Sequence, residues 1–333
     1  MDAFSEILSG VKLHGALFFN AHFTAPWGFS APPSKALVPS LAPEAPHLVI
    51  YHLVIEGRAV ARLGVEQPIQ LEPGDVVIFA HGDPHLITSG VESAEPLQTS
   101  AIIRKVMTRD LTALRAGGGG TTTRFVCGFM SCDPQVSRPI LDGLPHMFKV
   151  NVRTDRSGQW LESTIMHLVE EAASGTVGSE AMLAKLSEAL FVDTLRRYVR
   201  SLPEREIGWL AGTRDSLVGK CLGLMHSRVD HPWTIAKLAD EVGTSRSALS
   251  ERFTSYLAEP PMTYLTRWRL QLASRNLTRT PKGVAEIASE VGYESEAAFN
   301  RAFKRQFGVP PARYRREQRA SMHEPAETPV PTT

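Results

Sequence analysis

The chain has 333 residues, 43% of them hydrophobic and 21% charged, which is enough for two domains with separate cores. Three cysteines, no N-terminal signal pattern and no long apolar run exclude a disulfide-built secreted domain and a membrane-spanning protein, so we expect a cytoplasmic protein. The net charge of +1 divides unevenly, because residues 220–319 hold 17 Lys/Arg against 10 Asp/Glu and the remainder carries a net charge of −6. This asymmetry favours a phosphate-binding C-terminal module attached to an acidic module that does not bind nucleic acid. The alternative is chance variation of surface charge.

Residues 1–150 contain short β-rich runs separated by glycine and proline. These runs are residues 47–57, 58–64, 68–87 and 99–107. Strands of this length and spacing are typical of an antiparallel barrel or jelly roll. Residues 74–75 before an apolar run and residues 82–85 after it resemble the second motif of the cupin jelly roll, and residues 51–57 resemble a degenerate first motif. We therefore expect a cupin-like domain here.

Four histidines are the candidate effector-binding residues of this domain. They are His52, His85, His47 and His81. The cupin enzymes that this region resembles hold a metal with two histidines of the first motif, a glutamate, and a third histidine of the second motif. Tyr51 and Leu53 flank His52, so the paired His-x-His is missing. The resemblance leaves a metal ion at His52 and His85 open; the alternative is that both are hydrogen-bonded histidines that line or close a pocket.

Cys127 and Cys132 are candidate redox residues, because two cysteines five positions apart can form a redox-switched disulfide or share a metal. The alternative is that Cys127 is a small apolar residue buried in a strand and that Cys132 is incidental. Cys221 stands alone in a predicted helix, and we expect it to pack in a core.

Residues 151–205 predict a helical hairpin. Its helices cover residues 157–175 and 179–202, and Gly175 to Gly178 make the turn. The second helix is apolar on more than one face, so that one face can cover the β-rich domain and another can contact a partner subunit. The hairpin is therefore a candidate dimerisation element; the alternative is a purely intrachain hairpin.

Residues 206–320 contain a repeated apolar pattern. The first copy is Ile235, Leu238, Ala239 and Val242, and the second is Val284, Ile287, Ala288 and Val291, each 49 residues later. The spacing i, i+3, i+4 and i+7 predicts a helix with one apolar face. Both runs end at a glycine, Gly243 or Gly292, which can adopt the left-handed conformation of a tight turn.

A polar and basic segment follows each glycine, at residues 245–257 and 295–307. Each copy therefore predicts two helices joined by a tight turn, in units of about residues 233–257 and 283–307, which is the layout of a helix-turn-helix. Between the units, residues 261–277 predict a linker helix with two apolar stripes. These are Leu265, Trp268 and Leu272 on one side and Leu270, Ala273 and Leu277 on the other. A helix that is apolar on two sides is buried on two sides, so we expect it to hold the units rigidly.

The stretch from Trp233 to Arg315 resembles the DNA-binding domain of the AraC family of bacterial transcription regulators. The matching segments are residues 264–273 (YLTRWRLQLA) and residues 284–315 (VAEIASEVGYESEAAFNRAFKRQFGVPPARYR). The resemblance implies an α+β two-domain fold. An N-terminal antiparallel β cupin-like jelly roll plus helices senses an effector, and an all-α C-terminal domain contains the two helix-turn-helix units. Residues 321–333, rich in proline and threonine, predict a disordered tail.

The outward face of the second helix of each unit carries the candidate DNA contacts. They are Arg246, Ser247, Ser250 and Glu251 on the first and Glu296, Ala297, Asn300, Arg301 and Lys304 on the second. The resemblance places Ser247, Ser250, Glu251, Glu296, Ala297 and Arg301 at base-contacting positions. Arg301 suits guanine and Asn300 suits adenine. Phosphate contacts are expected from Arg246, Lys282, Lys304 and Arg305.

We therefore expect a sequence-specific transcription regulator, an activator and not an enzyme, that responds to a small molecule, a metal or an oxidant. Its expected partners are double-stranded DNA, RNA polymerase, the effector and a second copy of the chain, with no membrane, and bound protein would lie at the nucleoid. The alternative is a metal-dependent cupin enzyme fused to a DNA-binding domain. Against it stand the incomplete histidine set and the lack of a nucleophile or paired-carboxylate motif. A ligand-free architectural DNA binder would leave the acidic module without a purpose.

Overall fold

The computed structural model describes residues 3–10, 14–41, 47–90, 104–105, 108, 110–132 and 134–323. The chain separates into two compact units, one formed by Leu8–Glu206 and one by Met1–Ile7 with Ile207–Thr333. A short helix, α1 (Ala3–Gly10), begins the described part. No described helix combines the length and the apolar composition that a bilayer crossing needs.

Strands dominate the first unit. They are β1 (His14–Thr24), β2 (Gly28–Ala31), β3 (His47–Glu56), β4 (Ala59–Arg62), β5 (Ile69–Leu71), β6 (Asp75–Phe79), β7 (His85–Thr88), β8 (Leu114–Gly117), β9 (Thr122–Cys132) and β10 (Met147–Asn151). One sheet has the order β10-β6-β3-β9-β1-β8 and the other the order β2-β7-β4-β5. The pairs are antiparallel, except that β8 pairs parallel to β1. The antiparallel cupin-like jelly roll predicted from the sequence is confirmed.

The two sheets share one aromatic core. Alternation along β1 points Phe19 and Phe23 inward, where they meet Phe29 of β2 and Phe125 of β9. Trp27 lies between these rings and is fully buried. The interior of the jelly roll is therefore filled by large rings, and any polar side chain among them is shielded from water.

The β-rich run predicted at residues 99–107 is wrong at the two residues that the structure describes. Of residues 99–107, the structure describes only Arg104 and Lys105, and both are helical; the others lie outside the described residues. The physical reason lies in Lys105, whose ammonium group donates to the Asp110 carboxylate (2.8 Å) and to the Thr112 carbonyl oxygen (2.7 Å). These local bonds favour a turn over an extended chain.

Helices complete the first unit. They are α2 (Ser34–Leu41), α3 (Pro134–Leu141), α4 (Arg156–Ala173) and α5 (Ser179–Ser201), of which the last two form the predicted hairpin. Helix α5 packs on β1 and β9 with a stripe of small and apolar residues, including Leu183, Ser187 and Leu190. A Cβ on Gly15 would come within 2.8 Å of the Ser187 hydroxyl, so the glycine lets the helix approach the sheet closely. One face of α5 thus covers the sheet, as predicted.

The second unit is helical. Its helices are α6 (Trp209–Gly212), α7 (Ser216–Ser227), α8 (Ile235–Val242), α9 (Arg246–Leu257), α10 (Pro261–Arg279), α11 (Val284–Glu290), α12 (Glu296–Phe307) and α13 (Pro311–His323). Gly243 and Gly292 adopt φ of 77° and 80° at the two turns, as the repeat predicts. Residues 321–323 of the predicted tail belong to α13, and residues 324–333 lie outside the described residues.

Helix α10 is buried on two sides. Leu265 and Trp268 are buried, and the Trp268 ring lies 4.3 Å, centroid to centroid, from the His226 ring of α7, whereas Leu270, Ala273 and Leu277 join a cluster with α11 and α12. Leu272 differs from the prediction, because it packs against this second cluster. In the described part of the unit, α10 contacts α9 and packs more extensively against α11, α12 and α13. It is therefore the structural link between the two helix-turn-helix units.

Candidate functional site

Helices α9 and α12 each bury one face and expose the other. The buried anchors are Leu249 and Phe253 in α9 and Phe299 and Phe303 in α12. The predicted contact residues Arg246, Ser247, Glu251, Glu296, Ala297, Arg301 and Lys304 are exposed, and Ser250 and Asn300 are half-buried. The predicted set therefore forms two solvent-facing surfaces, one on each helix.

Both helices begin at a serine that caps the first turn. Ser245 accepts a hydrogen bond from the amide of Ala248, and Ser295 accepts one from the amide of Ala298. Capping fixes the angle at which each helix leaves its glycine turn. The N-terminal ends, which carry the candidate base contacts, are thus held on rigid elements.

Two candidate phosphate contacts lie in the second helix-turn-helix unit, Arg305 on α12 and Lys282 just before α11. Arg305 is exposed, whereas Lys282 is half-buried and its ammonium group is paired with the Glu290 carboxylate. This hydrogen bond raises the pKa of Lys282. Lys282 would therefore have to share its charge between Glu290 and a phosphate.

Several other arginines of residues 220–319, the basic block of the sequence, form ion pairs or hydrogen bonds within the helical unit. Arg252 of α9 is paired with Asp215, the N-cap of α7, at 2.8 Å. Arg315 donates to the carbonyl oxygen of Leu277 (3.0 Å), and Arg319 donates to that of Thr280 (2.6 Å). The charge of the basic block is therefore only partly available to a nucleic acid, which the count of charges alone could not show.

A buried chain of hydrogen bonds crosses the jelly-roll interior. The imidazole nitrogen His52 Nδ1 lies against the Cys127 thiol, and His52 Nε2 lies 2.9 Å from His85 Nε2. His85 Nδ1 lies 2.9 Å from the carbonyl oxygen of Asp83. Because a carbonyl only accepts, His85 Nδ1 carries the proton and Nε2 of that ring accepts. His52 Nε2–H then donates to His85, and the Cys127 thiol donates to His52 Nδ1.

The side chains of Cys127, His52 and His85, which form this hydrogen-bonded chain, are all neutral. Burial lowers the pKa of His85 to about 4 and lowers that of His52 well below its ordinary value. Burial also raises the pKa of the Cys127 thiol. The rings of Phe29, Phe79 and Phe125 surround His52 and supply the low-dielectric environment that disfavours charge.

The hydrogen-bonded chain reaches the surface through Asp83. Its carboxylate lies 2.7 Å from Nδ1 of His146, whose side chain is 58% exposed. The His146 ring lies 4.4 Å, centroid to centroid, from the ring of His81. Sequence reasoning missed His146, because it is 63 positions from Asp83 and carries no motif.

The four predicted histidines are not brought together. His52 and His85 share the interior chain, whereas His47 donates through Nε2 to the carbonyl oxygen of Ala80 (2.9 Å) and His81 donates through Nε2 to that of Leu144 (3.1 Å). A cupin metal centre does not fit these residues. Both ring nitrogens of His52 and of His85 are engaged, and among the described residues no three His, Cys, Asp or Glu side chains converge on a point.

The structure corrects the disulfide hypothesis for Cys127 and Cys132. Both lie on β9, where Cys127 is opposite His52 and Cys132 is opposite His47. Five strand residues separate their Cα atoms by roughly 16 Å, and the two side chains point to opposite faces. A disulfide needs Cα atoms within about 7 Å. Cys127, Cys132 and Cys221 are all buried.

The comparisons with known proteins cover both units. Residues 2–200 match the family model described as cupin, and residues 238–317 match the model described as a helix-turn-helix domain. A putative AraC-like transcription regulator of Streptomyces lividans is 31% identical over 274 residues, which are 82% of this chain and 88% of that protein.

Two further relatives are also regulators. The HTH-type transcriptional regulator AlkR of Acinetobacter baylyi is 26% identical over 319 residues, 95% of this chain and all of that protein. The RCS-specific HTH-type transcriptional activator RclR of Escherichia coli is 25% identical over 273 residues, 82% of this chain and 86% of that protein. These relatives support a DNA-binding regulator over the alternative of a metal-dependent enzyme. The chain belongs to the AraC-like family of transcription regulators, with a cupin-type N-terminal domain and a helix-turn-helix C-terminal domain.

Proposed function

We propose that this regulator places α9 and α12 in successive major grooves of one DNA duplex and activates transcription from that site. The observation that carries the proposal is the pair of capped helices, each with a buried back and an exposed polar front, joined through α10. Helices of this kind enter a major groove with their N-terminal residues against base edges. Activation through RNA polymerase is supported by the description of the E. coli relative as an activator.

Base discrimination falls mainly to α12. Arg301 and Asn300 offer side chains that can bond two atoms of guanine and adenine, respectively, whereas α9 offers Ser247, Ser250 and Glu251. Arg246, Lys304 and Arg305 are exposed cations at the edges of these surfaces and would contact phosphates. The remaining exposed positions, Glu296 and Ala297, would approach bases from the first turn of α12.

The sensing site in this proposal is the Cys127–His52–His85 chain, and the effector is an oxidant. Oxidation of Cys127 by a peroxide forms a sulfur–oxygen bond and breaks the oxygen–oxygen bond, so the thiol becomes a sulfenic acid and the peroxide is reduced. His52 Nδ1 receives the thiol proton and returns it to the leaving hydroxide, which departs as water. Cys127 is buried among core side chains, so the added oxygen is expected to displace β3 and β9.

Strand β3 connects this site to α5. His52 points into the jelly roll, and its neighbour Tyr51 points out and shares a hydrogen bond with Ser187 of α5. The exposed face of the α4–α5 hairpin carries Trp160, 64% exposed, and Met182, 55% exposed. We assign this face to a homodimer contact whose geometry responds to the sensing site, with the chain acting in the cytoplasm at the nucleoid.

Selection of duplexes from a random DNA pool tests the proposal. The full-length protein is used under reducing conditions and after treatment with hydrogen peroxide. The proposal expects a motif with two boxes about ten base pairs apart, and an affinity for it that changes on oxidation in the wild type but not in Cys127→Ser. Sequence-blind, salt-sensitive binding would contradict the DNA assignment, and an unchanged response in Cys127→Ser would contradict the sensing site.

A further inference from the structure

Arg269 of α10 bonds to both helix-turn-helix units. Its Nε donates to the carbonyl oxygen of Val229 (2.9 Å) and its Nη2 donates to that of His231 (2.7 Å), both in the segment that leads into α8. Its Nη1 donates to the carbonyl oxygen of Gly292 (3.2 Å), in the turn between α11 and α12. One guanidinium group therefore holds the entrance of the first unit and the turn of the second.

Apart from α10, the helices of the two units contribute little to a fixed orientation, and the turn at Gly292 lies close to the carbonyl oxygen of Asp230. Among the described helices, no extensive packing joins α6 to α9 directly with α11 to α13, and α10 lies between them. A single helix fixes the distance between two bodies better than it fixes their rotation. Three hydrogen bonds that leave α10 sideways in two directions oppose that rotation.

Only arginine has the shape for this role. Its guanidinium group is planar and has five N–H donors in a fixed fork, so it can reach carbonyl oxygens on opposite sides. A lysine also has three donors, but all of them leave one nitrogen, so they cannot replace donors on three separate atoms that reach carbonyl oxygens on opposite sides. Arg269 is half-buried and faces backbone carbonyls, so it is not available to contact DNA.

Gly292 is the second independent sign of this arrangement. A Cβ at Gly292 would lie 2.6 Å from Nη2 of Arg269 and 2.8 Å from the carbonyl oxygen of Asp230. At Gly243, the equivalent turn of the first unit, φ is nearly the same but a Cβ would meet nothing within 4 Å. The glycine in the second turn therefore serves the close approach of Arg269 as well as the backbone conformation.

We propose that Arg269 is the positioning residue that sets the rotation of α12 relative to α9, and with it the spacing between the two DNA boxes that the protein accepts. The inference rests on the proposed insertion of both helices into one duplex. Without the Arg269 bonds, each unit still presents its own recognition surface. The orientation of the second helix-turn-helix unit must then be fixed when the protein binds DNA. This ordering lowers the affinity at the native spacing and weakens the preference for that spacing.

The test uses the full-length protein and the duplex that the wild type selects from a random pool. Base pairs are added to or removed from the spacer between the boxes, and the Kd is measured for each duplex. Arg269→Lys keeps the charge and removes the fork, and Arg316→Lys, at an exposed position of α13, is the matched control. We expect Arg269→Lys to lose roughly fivefold or more in affinity at the native spacing, with a flatter spacing profile, and Arg316→Lys to match the wild type.

A folded Arg269→Lys protein with the wild-type spacing profile overturns the inference. If Arg269→Lys fails to fold, Arg269→Gln is measured in the same way. Gly292→Ala and Gly243→Ala are then compared beside it, because both introduce the same backbone strain and only Gly292→Ala adds a methyl group against the Arg269 guanidinium group and the Asp230 carbonyl oxygen. A profile flattened by Gly292→Ala alone supports the inference, and equal profiles overturn it. A wild type that selects single-box duplexes overturns the two-groove proposal itself and the inference with it.

Discussion

Tyr51 of β3 and Ser187 of α5 share a buried hydrogen bond between residues 136 positions apart. The Tyr51 ring passes close to Gly128 of β9, where a Cβ would lie 2.1 Å from the ring carbon Cζ and from the hydroxyl oxygen. Burial raises the pKa of Tyr51, and the bond to Ser187 opposes that rise. The pair therefore ties the helical hairpin to the strand that carries His52.

Replacement of Ser187 by alanine leaves the Tyr51 hydroxyl buried without its partner. We expect a loss of about 1–3 kcal/mol in the stability of the first unit. Ser163→Ala is the control, because Ser163 is exposed and bonds only within its own helix. The measurement is hydrogen exchange in urea, followed by mass spectrometry on peptides from β3 and β9. Equal exchange in the two variants would show that the bond contributes nothing.

The stability of the jelly roll is expected to decrease as the pH is lowered. The folded state lowers the pKa of His85 from 6.5 to about 4, so the unfolded chain takes up a proton first as pH falls. The contribution of His85 to the free energy of unfolding is fully present above pH 6.5. It decreases by roughly 3 kcal/mol as pH falls toward 4. His85→Gln should flatten the dependence and exposed His167→Gln should keep it, measured as protection of β3 amides relative to intrinsic exchange at each pH. An identical slope in His85→Gln and the wild type would rule this out.

Cys127 is expected to resist alkylation in the folded protein. The side chain is buried, so a reagent of the size of iodoacetamide cannot reach the sulfur atom. Iodoacetamide at pH 8 should label it at least about a hundredfold more slowly than in urea, as read by mass spectrometry of the β9 peptide. Hydrogen peroxide, which is far smaller than iodoacetamide, is expected to reach it. Rapid native alkylation would contradict the burial of the thiol.

Arg301 and Arg305 are expected to contribute to DNA binding in different ways. Arg301→Ala should cost about 1–3 kcal/mol on the selected duplex and relax the preference at one base pair. Arg305→Ala should weaken binding to all sequences alike and reduce the salt dependence by about one phosphate contact. Titrations at several salt concentrations on matched and mismatched duplexes separate the two. The assignment fails if Arg301→Ala leaves the base preference intact.

The fold of the helical C-terminal unit could be predicted from the sequence because the features that determine it are local. Helix spacing, the capping residues and Gly243 all lie within a few positions of the features that they determine. The hydrogen-bonded chain from Cys127 to Asp83 could not be predicted, because it depends on contacts between distant positions. Strand β9 pairs with β3 over 75 positions, and β7 belongs to the other sheet, so that His85 meets His52 between the two sheets over 33 positions. The C-x4-C pair was misleading because the sequence alone did not show that both cysteines lie on one continuous strand, β9. Arg269 carries a charge typical of a DNA contact, and only its three carbonyl partners show otherwise.

Hydroxyl-radical footprinting on the selected duplex tests the central claim most directly. Two helices in successive major grooves predict two protected patches on one face of the duplex, about ten base pairs apart. Arg301→Ala should weaken the patch under α12 and leave the patch under α9. A single protected patch, or two patches that respond equally to Arg301→Ala, would contradict the assignment of one groove to each helix.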